Sequence, residues 1–253
     1  MLQNIVDPSM TLTSTTHPEL IPSFEPQRLE ALRQYQVLNV PGEDVFNLLV
    51  AIVARLFNVP VSLLSLVQEQ EVQFIGNVGL PGIAAVPRSD SLCSVAILQD
   101  GLTLYEDLLR RPCHLTTQAA ARDLNLQFYA GCALRTHDGY PIGALCVMDR
   151  QPRQFSMAEQ ALLDSLGTVA MSLLDLRTAQ LTDSALVPGL QGDIYERIGQ
   201  SLDRIGTLAD LRQWEVPDSP EARAYEQSSL EEATHVTRVM QQELQAMLQR
   251  LRR

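Results

Sequence analysis

Apolar side chains recur along the chain with two different periods, which predict different elements. Residues 43–57 place apolar side chains every three to four positions, as on one face of an α-helix. Residues 61–67 and 72–78 are short apolar runs on either side of a polar turn, which predicts a β-hairpin. A second hairpin is predicted for residues 126–148, where Asp138-Gly139 separates two apolar runs.

Helices are predicted on both sides of these hairpins. One begins near Pro26, where apolar residues recur at helical spacing. Another begins at Ser156 and runs to about Thr182, because Ser156 and Glu159 have the spacing of a capping box. Since hairpins dominate the centre, the pattern predicts an α+β fold in which an antiparallel sheet carries helices on one face.

The segment between the two hairpins gives a weaker pattern. Residues 79–87 contain several Gly and Pro residues and are expected to form a loop. A short helix is predicted at 91–99 and a short strand at 102–105. Residues 106–124 are expected to mix loop and helix.

Both ends of the chain are expected to lie outside a domain formed by residues 25–183. Residues 1–24 are rich in Thr, Ser and Pro, which indicates a flexible tail. Residues 184–253 are expected to form a helical extension for dimerisation or partner docking, beginning with a linker at Pro188-Gly189. Its last helix has apolar residues at nearly heptad spacing: Val236, Met240, Leu244, Met247 and Leu251.

Composition excludes several classes of function. The 253-residue chain has a formal net charge of -11, so its surface repels nucleic-acid phosphates and anionic membranes. All 19 basic residues are arginine, which excludes a Walker-A lysine and a lysine Schiff base. Arg55 and a break at Asn58 argue against a membrane span in the apolar stretch 46–67. We therefore expect no nucleic-acid or membrane partner.

The cysteines indicate a reducing compartment. Cys93, Cys113, Cys132 and Cys146 form no CxxC pair, so no metal site is expected. The N-terminus has no basic residue before Arg28 and no signal-peptide pattern. We expect a cytoplasmic protein with free thiols.

Two segments carry a family resemblance, PRSDSLCSVAIL at 87–98 and FYAGCALRTHDGYPIGALCVMDRQPRQFS at 128–156. On the basis of these segments the chain resembles the GAF family. The resemblance is to the branch whose domains are common at the N-terminus of bacterial sensor kinases and diguanylate cyclases. The resemblance implies a six-stranded antiparallel sheet with helices on one face. It also implies a ligand pocket on the other face, roofed by segments at about 88–99 and 106–124. GAF domains bind cyclic nucleotides, bilins, haem or amino-acid derivatives, so the fold leaves the ligand and any cofactor unknown.

Seven residues are candidates for contact with that ligand. Cys93 lies on the short helix beside the expected pocket, where it is either a ligand contact, a redox thiol or a small core residue. Aromatic residues on the strands either line the pocket or build the core, and charged residues at the rim are placed to fix a polar ligand. The candidates are Phe74, Arg88, Ser91, Cys93, Asp107, Phe128 and Tyr129.

The other cysteines raise two further questions. Cys113-His114 resembles the pair to which bilin-binding GAF photosensors attach their chromophore. It lies too far from the next strand, however, so Cys113 is expected to be an exposed loop cysteine. If Asp138-Gly139 forms a two-residue turn, the residue numbers of each directly opposed pair on the last hairpin add up to 277. Cys132 then faces Leu145. Cys146 points to the opposite face of the sheet, which argues against a disulfide with Cys132.

These observations predict a regulatory function, with no catalytic residue. We expect a small-molecule-sensing domain of bacterial signal transduction that relays ligand occupancy through its flanking helices. It is expected to form a homodimer and to act on a separate kinase or cyclase output protein. One alternative is a ligand-free dimerisation scaffold, which a small or filled pocket would favour. Another is an enzyme similar to free methionine sulfoxide reductases, which would bring two cysteine sulfurs together in the pocket.

Overall fold

The structure of the chain, a computed structural model, describes most of the predicted domain and its last helix. The described residues are 18–35, 44–117, 119–182, 196, 199–201, 203–207 and 220–251. Residues 1–17 of the predicted tail and the predicted linker at Pro188-Gly189 lie outside them. Residues 18–24 fall within the segment predicted to be flexible, but they pack on the domain, and Leu20 is buried.

Six strands form one antiparallel sheet, as the sequence and the resemblance predicted. Their order is β3-β2-β1-β6-β5-β4, so the two predicted hairpins meet at the centre through β1 and β6. All of β1 is buried, because the sheet is covered on both faces. The strands are β1 (Val61–Val67), β2 (Glu71–Val78), β3 (Ala85–Pro87), β4 (Thr103–Tyr105), β5 (Phe128–Arg135) and β6 (Pro141–Asp149).

Most helices pack on one face of this sheet. The helices are α1 (Glu25–Arg33), α2 (Asp44–Leu56), α3 (Cys93–Ala96), α4 (Ala119–Asp123), α5 (Met157–Thr182) and α6 (Pro220–Leu251). The larger hydrophobic core joins α2, α5 and α6 to the sheet, while α3 and α4 lie over the other face. Phe155, which precedes α5, packs its ring against Phe57 and Phe128 at centroid distances of 5.3 and 5.5 Å.

Local signals begin and end the helices as expected. The capping box at the start of α5 is formed: Glu159 N–H donates to Ser156 Oγ at 3.2 Å, and Ser156 N–H donates to Glu159 Oε2 at 2.8 Å. After α2, Asn58 adopts a φ of 48°, and the N–H of Val59 donates to the carbonyl of Ala54 at 2.9 Å. This left-handed residue closes the helix and turns the chain into β1.

One strand was not found from the sequence pattern alone. β3 lies within the segment 79–87, which was predicted to be a loop. It has three residues and pairs only with β2. Too short to show a period of its own, it is a strand because Gly79 turns the chain back with a φ of 92°.

The C-terminal helix α6 folds back on the same chain. It packs along α5, and Gln241 donates to the carbonyl of Ser165 at 2.8 Å. The near-heptad residues Val236, Met240 and Leu244 are buried in the core of the domain. In this structure the seam therefore faces α5. None of the described helices is long and apolar enough to cross a membrane.

Candidate ligand-binding site

The sheet face opposite α5 carries a second, smaller hydrophobic core that includes the candidate pocket. Strand residues alternate between the two cores: Phe128 and Ala130 belong to the helix-covered face, and Tyr129 belongs to the pocket face. The roof consists of α3, α4 and the turn of 3-10 helix at Arg88–Asp90. This is the location that the resemblance implied.

The roof is tied together by polar contacts. Thr117 Oγ1 donates to Asp90 Oδ1 at 2.5 Å, and Thr117 N–H donates to the carbonyl of Ser89 at 3.0 Å. Ser94 Oγ donates to the carbonyl of Arg88 at 2.8 Å. These bonds hold the segment before α4 against the segment that leads into α3.

The pocket beneath this roof is small. Its volume is about 40 Å³, close to the space of one water molecule and far below the roughly 300–1,000 Å³ of pockets for drug-sized ligands. Most of its wall is apolar, with a few polar groups from the roof and β5. It is lined by Leu63, Phe74, Leu80, Val86, Asp90, Ser91, Leu92, Cys93, Ala120, Ala121, Leu124, Leu126, Tyr129 and Met148.

Four of the seven predicted contact residues line this pocket, and three do not. Phe128 lies on the opposite face of the sheet, because adjacent strand residues point to opposite sides and Tyr129 takes the pocket side. Asp107 accepts hydrogen bonds from the backbone N–H groups of Leu109 and Arg110, both at 3.0 Å. The pocket-lining candidates are Phe74, Ser91, Cys93 and Tyr129.

Arg88, the third candidate outside the pocket, belongs to a buried ion cluster. Its Nη1 donates to Glu25 Oε1 at 2.5 Å, and its Nη2 donates to the carbonyl of Leu20 at 2.8 Å. Arg28 binds the same carboxylate through Nε and Nη2, at 2.7 and 2.8 Å, and also donates to the carbonyl of Val67. Burial raises the pKa of Glu25, but the two arginines outweigh it and hold the pKa below its usual 4.5. The cluster fastens the N-terminal segment to the sheet.

The pocket-side core contains a pair of thiols, and one of them, Cys93, lines the pocket. Cys93, the first residue of α3, and Cys146, in the middle of β6, have their sulfurs 3.7 Å apart. Tyr129 donates from its hydroxyl to Cys93 Sγ at 3.6 Å. All three side chains are buried, and the N–H of Cys93 donates to Ser91 Oγ at 3.2 Å.

Gly131 makes room for this arrangement. Tyr129 and Gly131 are two residues apart on β5 and share a face, and Gly131 pairs with Cys146 across the strands. A Cβ atom at Gly131 would lie 2.4 Å from the Tyr129 hydroxyl oxygen. The tyrosine ring therefore occupies the space of the missing side chain, and its hydroxyl reaches Cys93.

Hydrogen bonding separates the pKa values of the two thiols. The bond with Cys146 lowers the pKa of Cys93 from its usual 9.0; burial opposes this, and the hydroxyls of Ser65, Tyr129 and Ser91 add to it. The same bond, together with burial, raises the pKa of Cys146. Burial raises the pKa of Tyr129 well above 10.0, so its hydroxyl keeps the proton that it donates.

Cys146 is a pocket-side residue that the candidates predicted from the sequence do not include, although the signal was present. The sequence predicts Cys132 and Cys146 on opposite faces, and the observed pairing of Cys132 with Leu145 agrees. Cys132 lies on the helix side, where its thiol donates to the carbonyl of Leu163 at 3.4 Å. Cys146 had to point to the pocket side, but only the tertiary fold brings Cys93 over it.

Two other features bear on ligand chemistry. Among the described residues, no group of three or more His, Cys, Asp and Glu side chains is placed to hold a metal ion. A larger cleft of about 530 Å³ lies on the helical side, between Arg135–His137 at the end of β5, α5 and the last turns of α6. None of the seven predicted contact residues lines it.

Comparison with known proteins gives one family match and one curated relative. Residues 41–174, more than half of the chain, match the GAF domain family. A cyclic di-GMP phosphodiesterase of Pseudomonas aeruginosa is 29% identical over 189 residues, which are 74% of this chain and 32% of that protein. The chain therefore spans about a third of the length of this relative.

Solved structures show weaker similarity. The GAF domain of an Acinetobacter phosphoenolpyruvate-protein phosphotransferase is 19% identical with a TM-score of 0.46, covering 62% of this chain and 98% of that one. A free methionine-R-sulfoxide reductase of Neisseria meningitidis is 14% identical with a TM-score of 0.44, covering 72% and 100%. At this level the similarity says nothing about the ligand or the reaction.

Proposed function

Since the chain belongs to the GAF domain family, we propose that it is a regulatory domain of bacterial signal transduction that senses a small molecule in the pocket beneath α3 and α4. The observation that carries this proposal is the position of the pocket. It lies on one face of the sheet, while the long helices α5 and α6 lie on the other. The domain thus has an input side and an output side separated by one layer of strands.

The strand β5 connects the two sides. Tyr129 lines the pocket, and its neighbour Phe128 packs against Phe155 just before α5. A shift of β5 on ligand binding would move both side chains and, through Phe155, the start of α5. Because α6 packs along α5, the movement of α5 would also displace α6. Ligand affinity must then differ between two helix arrangements, because only differential binding shifts an equilibrium.

A ligand larger than a water molecule requires the roof to open. Such an opening would break the Thr117–Asp90 and Thr117–Ser89 contacts and separate α4 from the turn at Arg88–Asp90. The apolar wall, with polar groups from Asp90, Ser91, Cys93 and Tyr129, suits a small, largely apolar molecule with one or two hydrogen-bonding atoms.

The test is native mass spectrometry of the chain purified from the organism that produces it. Two variants, each with one alanine of α4 replaced by tryptophan, are measured beside the wild type. Ala121 lines the pocket, so Ala121→Trp fills it and is expected to remove a copurifying small molecule. Ala119 lies on the same helix and does not line the pocket, so Ala119→Trp is the matched control and is expected to retain the molecule. A wild-type chain that carries no extra mass and gains none from cell extract contradicts the sensing function.

The small pocket favours one alternative, a ligand-free scaffold. A volume of about 40 Å³ fits this function without any movement of the roof. In that case Ala121→Trp would leave signalling output unchanged, whereas a sensor would lose its response to ligand. The comparison of Ala121→Trp with Ala119→Trp therefore separates the two functions.

The contact between Cys93 and Cys146 is a feature that a reductase of free methionine sulfoxide would also show. The pocket has no room for an amino acid in this conformation. Cys113 is buried, not exposed as the sequence predicted, but it is not among the residues that line the pocket. We propose a regulatory domain without enzymatic activity. An assay with free methionine-R-sulfoxide and a dithiol reductant is expected to show no turnover.

The setting of the domain is also proposed. We infer a cytoplasmic location, a homodimer formed through the helices, and a kinase or cyclase as the output. The relationship to a cyclic di-GMP phosphodiesterase supports an output that makes or degrades a nucleotide messenger. The charge of -11 supports a protein or small-molecule partner rather than nucleic acid.

A further inference from the structure

Cys93 and Cys146 are held in contact by two different parts of the fold. Cys93 belongs to the roof helix α3, and Cys146 belongs to β6, between β1 and β5. Their sulfurs, 3.7 Å apart, are at van der Waals distance, and a disulfide requires about 2.05 Å. Closing this gap takes side-chain rotation and a small movement of α3 towards the sheet.

The surroundings of Cys93 favour its thiolate, the form of cysteine that attacks electrophiles. Tyr129 donates a hydrogen bond to its sulfur, and Cys146 is in contact with it. Burial opposes ionisation, but these donors and the hydroxyls of Ser65 and Ser91 lower the pKa of Cys93.

The pocket selects what can reach this thiolate. Cys93 forms part of its wall, and a volume of about 40 Å³ holds a molecule about the size of water. Hydrogen peroxide, which has only two heavy atoms, is small enough to enter such a pocket. Glutathione disulfide and other bulky oxidants do not fit unless the roof opens.

We propose that Cys93 and Cys146 form an oxidation site at which hydrogen peroxide produces an intramolecular disulfide joining α3 to β6. The Cys93 thiolate attacks one oxygen of the peroxide, so that an S–O bond forms and the O–O bond breaks. The departing hydroxide takes the proton that Cys93 lost and leaves as water. Cys146 then attacks the sulfur of the Cys93 sulfenic acid; the S–S bond forms, and the hydroxyl leaves as water with the proton of Cys146. Two thiols lose two electrons, and one peroxide becomes two waters.

The disulfide changes the pocket directly. It fastens the roof to the central strand β6, and it removes the thiol of Cys93 as a polar group of the wall. Because β6 pairs with both β1 and β5, the bond ties the roof to the middle of the sheet. The oxidised domain is expected to hold its roof closed and to exclude any ligand that needs it open.

The test uses the whole chain without substitutions. The protein is reduced with dithiothreitol, desalted and treated with hydrogen peroxide; remaining thiols are then alkylated in denaturant and the digest is analysed by mass spectrometry. We expect two of the four thiols to be lost and a Cys93–Cys146 cross-linked peptide to appear, which dithiothreitol removes. Four free thiols, a different pair, or sulfonic acids without a cross-link would overturn the proposal.

Two variants and one second oxidant sharpen the result. Cys146→Ser leaves Cys93 without a partner, so we expect a Cys93 sulfenic acid that dimedone traps and no cross-link. Cys132 lies on the opposite face, so Cys132→Ala is the matched control and is expected to form the cross-link as the wild type does. Glutathione disulfide is expected to react at least tenfold more slowly with the folded chain than with the chain in urea. Equal rates would contradict access through the pocket.

This inference does not depend on a ligand. A cross-link in a protein without a copurifying molecule supports the oxidation site and leaves the sensing proposal unsupported. A copurifying molecule without a cross-link supports the sensing proposal and overturns the oxidation site.

Discussion

At the scale of single residues, one carboxylate forms ion pairs with two buried arginines. Arg28 is fully buried and Arg88 is 6% exposed, and both bind Glu25. The desolvation of such charges is costly, so the cluster is stable only while the carboxylate and the carbonyl acceptors stay in place. Sequence reasoning assigned Arg88 to the ligand, because nothing along the chain shows that Glu25, 63 residues earlier, lies beside it.

Replacing this carboxylate is expected to be strongly destabilising. Glu25→Gln leaves two buried guanidinium groups without a counter-charge, which costs about 3 kcal/mol or more of the free energy of unfolding. Glu30→Gln is the matched control, because Glu30 pairs with Arg33 on the same helix with both side chains well exposed. Urea denaturation measures both. Equal effects would show that the cluster contributes no more than a surface ion pair.

The same carboxylate gives stability a pH dependence of known sign. The folded pKa of Glu25 lies below the usual 4.5, so its contribution is complete above pH 4.5 and is lost as pH falls through the folded value. Thermal melts of wild type and Glu25→Gln between pH 7 and more acidic pH are expected to converge in that range. A constant difference between the two would refute the assignment.

Gly131 offers a second test at this scale. Gly131→Ala places a methyl group against the buried Tyr129 hydroxyl, so we expect a loss of roughly 2 kcal/mol from overpacking and a displaced tyrosine. A Cβ at Gly101 meets no atom within 4 Å, which makes Gly101→Ala the control. The free energy of unfolding from urea titration should change for the first variant and remain nearly constant for the second.

At the scale of elements, the β5–β6 hairpin shows how a correct register arose from a wrong turn. The Asp138-Gly139 pair predicts a two-residue turn. The structure has a three-residue loop instead: Gly139 N–H donates to the carbonyl of Thr136, and Thr136 N–H donates to the carbonyl of Tyr140. A bulge at Ile142 adds one residue on β6, between the pairs Arg135–Pro141 and Leu134–Gly143. From Leu134 back to Phe128, the residues therefore pair as the two-residue turn predicted. The faces of Cys132 and Cys146 were therefore predicted correctly.

Helix α6 is an element whose partner the sequence left open. Met240 is 1% exposed against α5, and its neighbour Val239 is 40% exposed. Met240→Ala is expected to cost roughly 3 kcal/mol of the free energy of unfolding, whereas Val239→Ala should stay within about 0.5 kcal/mol at protein concentrations at which the chain is monomeric. Chemical denaturation at two protein concentrations checks this. If the stability lost in Met240→Ala depends on protein concentration, the near-heptad seam packs between two chains and not within one.

At the scale of the whole molecule, one sheet separates two cores with different tasks. The larger core contains α2, α5 and α6 and gives the domain its stability, and the smaller core contains the pocket and the thiol pair. Because the near-heptad seam already faces α5, a homodimer through α6 would have to use the other side of that helix, around Val239.

This arrangement gives the proposed homodimer a specific test. We expect Val239→Asp to convert a dimer into a monomer of 28.1 kDa in light scattering, because a buried charge opposes association. Met240→Ala serves as the control, since it changes stability within the chain and is expected to leave the mass unchanged. A wild-type monomer at high concentration would exclude the proposed dimer.

The sequence by itself determined the local parts of this protein. Apolar periods and the capping box specify α1, α2, α5, both hairpins and the opposite faces of Cys132 and Cys146, because these depend on neighbours within a few positions. Only the tertiary structure decided which distant groups meet. It placed Cys93 on Cys146, Glu25 between two arginines and α6 on its own chain, and it made three residues before Arg88 into an edge strand. Such contacts depend on how packed elements cross, and no local period records that.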